Sequence, residues 1–201
     1  MRSDSIVFAV AGMCFGVILG WVIGVQQAGQ TPAALTAAAP AGQATGGTAP
    51  QAPPLDDARV QSLMTVIQND PENAGAAVQL ANTYFDAEQY AEAINWYEES
   101  LRIDPSNPDA STDLGVSYYY SGMTDRALEQ FDVSLAIDPQ HTKTLLNQGI
   151  VLAFGKQDLA GAQTAWEQVV ALAPNSPEGQ AASRALEGIA AAGHDAVAPG
   201  G

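Results

Sequence analysis

An unbroken apolar run near the start of the chain predicts a membrane-spanning helix. Residues 6–25 contain no charged residue, and a helix of this length covers about 30 Å, the hydrocarbon thickness of a bilayer. A cleaved signal peptide is the alternative, although its apolar core is usually only about 7 to 15 residues long. Arg2 precedes the run and the next basic residue is Arg59. Because positive charge favours the cytoplasmic side, residues 1–5 are predicted to be cytoplasmic and the rest of the chain extracytoplasmic.

The next segment has no hydrophobic period at all. Residues 26–54 consist mainly of Ala, Gly, Gln, Thr and Pro and carry no charge. This composition is typical of a flexible linker. The final residues, 193–201, have a similar composition and are predicted to be a disordered tail.

Between linker and tail, a helical period of apolar residues is interrupted at regular intervals. Pro71, Pro105, Pro139 and Pro174 follow one another at spacings of 34, 34 and 35 residues. A period of this length indicates a repeat of paired helices. The predicted domain, residues 55–192, contains three units and two flanking helices, eight helices in all; the units cover about 74–107, 108–141 and 142–176, a helix at 56–69 precedes them, and a capping helix at 177–192 follows.

Small and aromatic residues recur at fixed positions of each unit. The first unit has Leu80, Ala81, Tyr84, Ala93, Tyr97, Ser100 and Pro105. The second has Leu114, Gly115, Tyr118, Ala127, Phe131, Ser134 and Pro139. The third has Gly149, Leu152, Ala162, Trp166, Val169 and Pro174, with Gln148 in place of the large apolar residue and one inserted residue in the turn GKQDLAG. In these positions the chain resembles the tetratricopeptide-repeat (TPR) family. The resemblance implies an all-α superhelix of helix-turn-helix units.

The resemblance also implies a binding groove lined by the first helix of each unit. The positions carried over from the family are Asn82, Phe85, Asp86, Asp109, Thr112, Asp113, Val116, Tyr119, Tyr120, Lys143, Asn147 and Ile150. Their acidic and aromatic character predicts binding of peptide segments of other proteins that bear basic and apolar side chains. Phe85 and Tyr120 could equally be ordinary packing between hairpins, since aromatic stripes at helical spacing are common in cores.

Some members of the family grip a C-terminal carboxylate with a clamp of Lys and Asn side chains. Asn82 and Lys143 match that clamp, whereas Val78, Asp113 and Asn147 depart from it. Because Asp113 would repel a carboxylate, this type of binding is not expected here.

A second candidate surface lies within the predicted span. Gly12, Gly16, Gly20 and Gly24 recur every four residues, so a helix would present them as one ridge to which another helix can pack closely. The partner would be a second copy of the chain or a foreign helix. The alternative is a fortuitous spacing, because glycine is common in membrane spans.

Charge and the scarcity of reactive residues exclude several functions. The formal charge of −15 argues against nucleic acid as a partner. Cys14 is the only cysteine and lies in the apolar run, and the two histidines, His141 and His194, lack ligand spacing. No catalytic residue, metal site or cofactor is therefore predicted, and the chain is not expected to be an enzyme.

Together these features predict a membrane-anchored scaffold or adaptor that binds partner proteins in its groove. The architecture suggests a bacterial-type inner membrane, with the repeat domain in the periplasm and a role in assembly or maturation of envelope proteins. The alternative function is a structural accessory subunit of a membrane complex, held by the glycine-ridged helix.

Overall fold

The computed structural model describes residues 52–197, and this part of the chain is all helical. The predicted transmembrane helix with its glycine ridge, and most of the predicted linker, lie outside the described residues. Within the described range, none of the helices combines the length and the hydropathy that crossing a bilayer requires. The helices of the described range are α1 (Asp57–Asn69), α2 (Ala74–Asp86), α3 (Tyr90–Ile103), α4 (Pro108–Tyr120), α5 (Thr124–Ile137), α6 (Thr142–Ile150), α7 (Leu159–Leu172) and α8 (Pro177–Val197).

These helices form three antiparallel hairpins that stack side by side. α2 packs on α3, α4 on α5, and α6 on α7, while α3 also packs on α4 and α5 on α6. α1 covers the first hairpin by packing on α2, and α8 covers the last by packing on α6 and α7. The predicted unit boundaries at residues 74, 108 and 142 coincide with the starts of α2, α4 and α6. α8 extends to Val197, so the predicted end of this helix at residue 192 was too early.

Capping side chains and prolines determine where the helices begin and end. The side chains of Asn73 and Asn107 accept hydrogen bonds from the backbone N–H groups three residues on, at 2.9 and 3.0 Å. Ser176 does the same for the first turn of α8, at 3.0 Å. Such caps satisfy N–H groups that a helix start leaves without partners. α3 and α5 each end two residues before a proline, because the residue before proline is forced out of the helical region.

The turn within each hairpin depends on one residue with a left-handed backbone. Glu88, Gly122 and Gln157 have φ of 57°, 79° and 58°. In the first two hairpins, a backbone N–H after this residue donates back to the carbonyl of Tyr84 or Tyr118, five residues earlier. The left-handed residue reverses the chain in a single step, so each turn is short.

The inserted residue of the third unit is absorbed by the helix and not by the turn. Val151–Lys156 continue α6 as a π-helical segment. The N–H of Asp158 donates to the carbonyl of Leu152, six residues earlier, where the other hairpins span five. Leu152 therefore keeps the position of Tyr84 and Tyr118, and the extra residue lies after it. A π-helical turn accommodates one additional residue without displacing the next helix.

The core is built from close contacts between small residues of the first helices and large residues of the second. A Cβ atom on Gly115 would lie 2.5 Å from Cε1 of Phe131. A Cβ atom on Gly149 would overlap the indole of Trp166. Phe131 and Trp166 are almost completely buried. The recurring small and aromatic positions are thus matched across the second and third hairpins.

Candidate partner-binding groove

The first helices of the three units bring several predicted groove residues together. Asp109, Asp113, Val116 and Tyr120 follow one another along α4 at spacings of three or four residues, which places them on one face of the helix. α6 packs beside α4 and places Lys143 Nζ 2.8 Å from Asp113 Oδ1 and 3.5 Å from Asp109 Oδ1. Carboxylates and aromatic rings therefore share a continuous surface on α4.

Lys143 neutralises only part of the negative charge at this surface. The side chain of Asp113 is 25% exposed and that of Asp109 is 66% exposed. Burial raises the pKa of the Asp113 carboxyl, and Lys143 opposes this effect. Burial acts to lower the pKa of Lys143, but Asp113 and Asp109 outweigh it and raise that pKa. Asp113 and Lys143 thus act as an internal ion pair, while Asp109 remains open to solvent.

A third carboxylate belongs to the same region. Asp86, at the end of α2, is exposed, and partial burial raises its pKa while Arg59 lowers it. The Tyr97 hydroxyl donates to Asn82 Oδ1 at 2.5 Å. Burial raises the pKa of Tyr97, and the charges of Asp113 and Asp86 raise it further. Asp86 and Asp113 therefore act on the same hydroxyl, that of Tyr97. The hydrogen bond from this hydroxyl holds the Asn82 side chain in place.

Aromatic rings form one end of the surface. The rings of Phe85 and Tyr120 are 5.8 Å apart, edge to face, and those of Tyr119 and Tyr120 are also 5.8 Å apart. Tyr90, a residue that the sequence did not single out, stacks on Tyr120 at 5.2 Å and meets Phe85 at 5.3 Å. All four rings remain partly exposed. Phe85 and Tyr120 pack on each other between two hairpins, as the alternative interpretation proposed. Both rings also keep part of their surface open to solvent.

Thr112 is not a groove residue, contrary to its predicted place. Its side chain is fully buried, and its hydroxyl lies 2.6 Å from that of Thr144 and 3.1 Å from that of Ser134. The Thr112 and Ser134 hydroxyls both donate to the carbonyl of Pro108, at 2.7 and 2.9 Å. His141 Nδ1 lies 2.6 Å from the Thr144 hydroxyl. We call Thr112, Ser134 and Thr144 the hydroxyl cluster; it joins α4, α5 and α6.

The hydroxyl cluster is expected to contribute measurably to stability. Replacing Ser134 by alanine should cost about 1 to 2 kcal/mol, because it removes several buried hydrogen bonds. Ser100, 34 residues earlier, provides a matched control. Its hydroxyl is equally buried and has no hydrogen-bond partner among the described residues, so Ser100→Ala should be neutral or stabilising by up to about 1 kcal/mol. Urea unfolding followed by circular dichroism measures both, and equal losses would contradict a bonded cluster.

The remaining predicted residues have mainly local roles. The Asn147 side chain donates to the carbonyl of Lys143, one turn back, at 2.8 Å. Val116 and Ile150 are half-buried, and Val116 packs against the core.

His141 and Tyr90 contribute features that sequence reasoning missed. His141 precedes α6, and its Nε2 lies 3.5 Å from Asp109 Oδ1. The sequence signal that could have identified Tyr90 is an aromatic residue at the first position of a second helix. The later units have Thr124 and Leu159 at this position.

In residues 52–191, no three His, Cys, Asp or Glu side chains converge as a metal site would require.

Stacked hairpins with a groove along their first helices define a helical-repeat interaction domain. Residues 81–122 match the family model described as TPR repeat. A search of curated proteins finds no match. The matched residues are therefore similar to tetratricopeptide repeats, and the solved structures below share the fold of the helical domain. Stacked helical repeats present extended concave binding surfaces.

Solved structures of TPR domains are similar to this chain. The first TPR of Spaghetti (RPAP3), solved bound to the HSP90 peptide SRMEEVD, is 28% identical, with a TM-score of 0.55 over 62% of this chain and 96% of that one. The Sgt2 TPR domain from Aspergillus fumigatus is 26% identical, with a TM-score of 0.55 over 64% and 86% of the two chains. The MamA protein shares the fold, at 19% identity and a TM-score of 0.58 over 70% and 76%.

Proposed function

We propose that this protein is an interaction scaffold whose groove binds peptide segments of partner proteins that carry basic and apolar side chains. The observation behind the proposal is the surface shared by α2, α4 and α6. It combines three carboxylates, of which Lys143 pairs with two, with a set of partly exposed aromatic rings. Peptide binding by a TPR domain similar to this one supports the class of ligand.

The charge of the groove favours basic segments over acidic ones. Asp86 and Asp109 are exposed, so a basic side chain gains attraction there and an acidic one meets like charge. The peptide bound by the first TPR of Spaghetti, SRMEEVD, carries three acidic residues and one basic residue. For this chain we propose the opposite preference, because Asp113 occupies the groove beside Lys143 and satisfies its charge.

We further propose that the scaffold is tethered to an inner membrane by a single span at residues 6–25, with the repeat domain on the periplasmic side. The uncharged run and the placement of Arg2 before it support this location. The uncharged residues 26–54 would serve as the tether. A domain held near the membrane in this way would meet envelope proteins during their assembly or maturation.

A charge-reversal experiment tests the groove. We expect that Asp86→Lys combined with Asp109→Lys will weaken binding of basic peptides on an array on the order of tenfold, or about 1.4 kcal/mol, because attraction becomes repulsion at two exposed sites. Binding by the unchanged protein should also fall as salt rises, since ionic strength screens exposed charges over about 8 Å under physiological conditions.

The matched control carries the same change of net charge outside the groove. Glu129 and Glu167 are exposed residues of the second helices α5 and α7. Glu129→Lys combined with Glu167→Lys should leave the array pattern unchanged. If acidic peptides bind best to the unchanged protein, or if the groove variant keeps every peptide, the groove is not the binding site.

A further inference from the structure

A three-ring cluster at the end of the groove is built from three different helices. Phe85 is the next-to-last residue of α2, Tyr90 begins α3 and Tyr120 ends α4. Tyr90 and Tyr120 are nearly parallel, with an interplanar angle of 14°, and Phe85 meets both rings with its plane at 65° and 71° to theirs. We call these three residues the tyrosine stack. Each ring keeps part of its surface exposed, so the stack is a rigid aromatic surface and not a closed core.

One acidic residue, Glu88, lies beside the tyrosine stack. Glu88 lies in the turn between Phe85 and Tyr90, with a left-handed φ of 57°, and its N–H donates to the carbonyl of Phe85 at 2.9 Å. Burial raises the pKa of Tyr90 to about 12, and the charge of Glu88 contributes to this shift. Burial also raises the pKa of Tyr120, with a contribution from Glu88. Glu88 is exposed and lies in the turn that joins Phe85 to Tyr90, so it is adjacent to two of the three rings along the chain.

The same molecule shows what such an arrangement binds. In the second hairpin, the guanidinium of Arg126 on α5 lies 4.2 Å from the centre of the ring of Tyr118 on α4. Its Nη2 donates to the Tyr118 hydroxyl at 2.9 Å and lies 3.7 Å from Glu98 Oε1. The Tyr118 hydroxyl in turn donates to Glu98 at 2.6 Å. A tyrosine ring and a glutamate together hold one arginine from the chain itself.

The tyrosine stack has the rings and the carboxylate, but no arginine of residues 52–191 lies over these rings. Arg59 acts on the charge of the neighbouring Asp86 and forms no cation–π contact with the stack. Among residues 52–191, no Lys or Arg forms an ion pair with Glu88. A guanidinium is attracted to an aromatic face and also pairs with a carboxylate. A purely apolar side chain would cover Glu88 without replacing its water, which is costly, and an acidic side chain would be repelled.

We propose that the tyrosine stack and Glu88 form the seat for an arginine side chain of a partner segment lying in the groove. This inference rests on the proposed function, since Phe85 and Tyr120 belong to both the seat and the groove. The arginine would lie against the stacked tyrosines, and the apolar residues beside it in the partner would continue toward Val116. The seat would thereby set the register of the bound segment.

Binding of two matched probe peptides to the full chain in mild detergent tests the proposal. The first probe is fluorescently labelled Leu-Ala-Arg-Ala-Leu-amide, and the second has citrulline, a neutral analogue of arginine, in place of arginine. We expect the arginine probe to bind about threefold to tenfold more tightly by fluorescence anisotropy. Tyr90→Leu, which keeps an apolar side chain, and Glu88→Gln should each remove most of this difference between the two probes.

The outcomes distinguish the seat from the groove. Equal binding of the two probes, or an unchanged preference in both variants, overturns the seat. If Asp86→Lys with Asp109→Lys weakens the arginine probe while Tyr90→Leu and Glu88→Gln do not, the groove function stands and the seat is wrong. If neither probe binds, both proposals fail. Glu88→Gln alters no packed ring, so it remains decisive if Tyr90→Leu lowers the melting temperature.

Discussion

Replacing Trp166 by alanine is expected to lower the free energy of unfolding by about 3 to 5 kcal/mol, the usual range for removing a large buried aromatic side chain. Trp166 is 2% exposed and fills the third hairpin, where it packs on Gly149. Its indole N–H donates to the carbonyl of Leu146 at 3.1 Å. The variant therefore leaves a cavity between α6 and α7 and removes a buried hydrogen bond. Urea unfolding followed by circular dichroism measures the loss.

Trp96 provides the control for this prediction. It lies on α3, is only partly buried and packs at the edge of the core. Trp96→Ala should cost clearly less, about 1 to 2 kcal/mol, because less apolar area is lost. A loss below about 1 kcal/mol for Trp166→Ala would mean that Trp166 is not a core residue. The register of the third unit would then be wrong.

Adding a single methyl group at Gly149 should destabilise the domain by about 1 to 3 kcal/mol, the usual cost of overpacking a core. Alanine is ordinarily the better helix former, by about 1 kcal/mol. Here the new Cβ would overlap the rigid indole of Trp166, which is itself buried and hydrogen-bonded. Because the ring has no space into which to move, α6 and α7 must separate. Urea unfolding gives the change in stability.

The same substitution at Gly188 should have the opposite sign. Gly188 lies in α8, and a Cβ atom there would meet no atom within 4 Å. Gly188→Ala should therefore stabilise the domain by about 0.5 to 1 kcal/mol through helix propensity alone. If Gly149→Ala also stabilises the domain, helix propensity and not close packing governs Gly149. The role assigned to the small residues would then be incorrect.

The groove was only partly predictable, because helical spacing places a residue on a face but does not tell what it touches. Asp109 and Asp113 share a surface with Lys143 as expected, yet the 2.8 Å contact between Asp113 and Lys143 removes both from the set of open charges. Thr112 has the same spacing as a groove residue but is buried by α5 and α6. Tyr90 lies on a second helix and joins the surface only because α2, α3 and α4 meet there.

The sequence by itself determined where the helices of the repeat begin and which helices pair within each hairpin. Proline follows the end of a helix or stands at its first position, as Pro108 does in α4, and asparagine caps act over three residues. A small residue opposite an aromatic one is a local match that repeats every 34 residues. These effects are local, so a single unit already specifies them, and the described helices begin where the repeat predicts.

Only the tertiary structure decided the features that need several units at once. The inserted residue near Leu152 became a π-helical segment because α7 must still place Trp166 against Gly149. The hydroxyl cluster requires α4, α5 and α6 together, and Ser100, at the same position of the first unit, finds no such partners. These contacts depend on packing between helices that are distant in sequence. A pattern of residues along the chain does not tell which of these helices will be in contact.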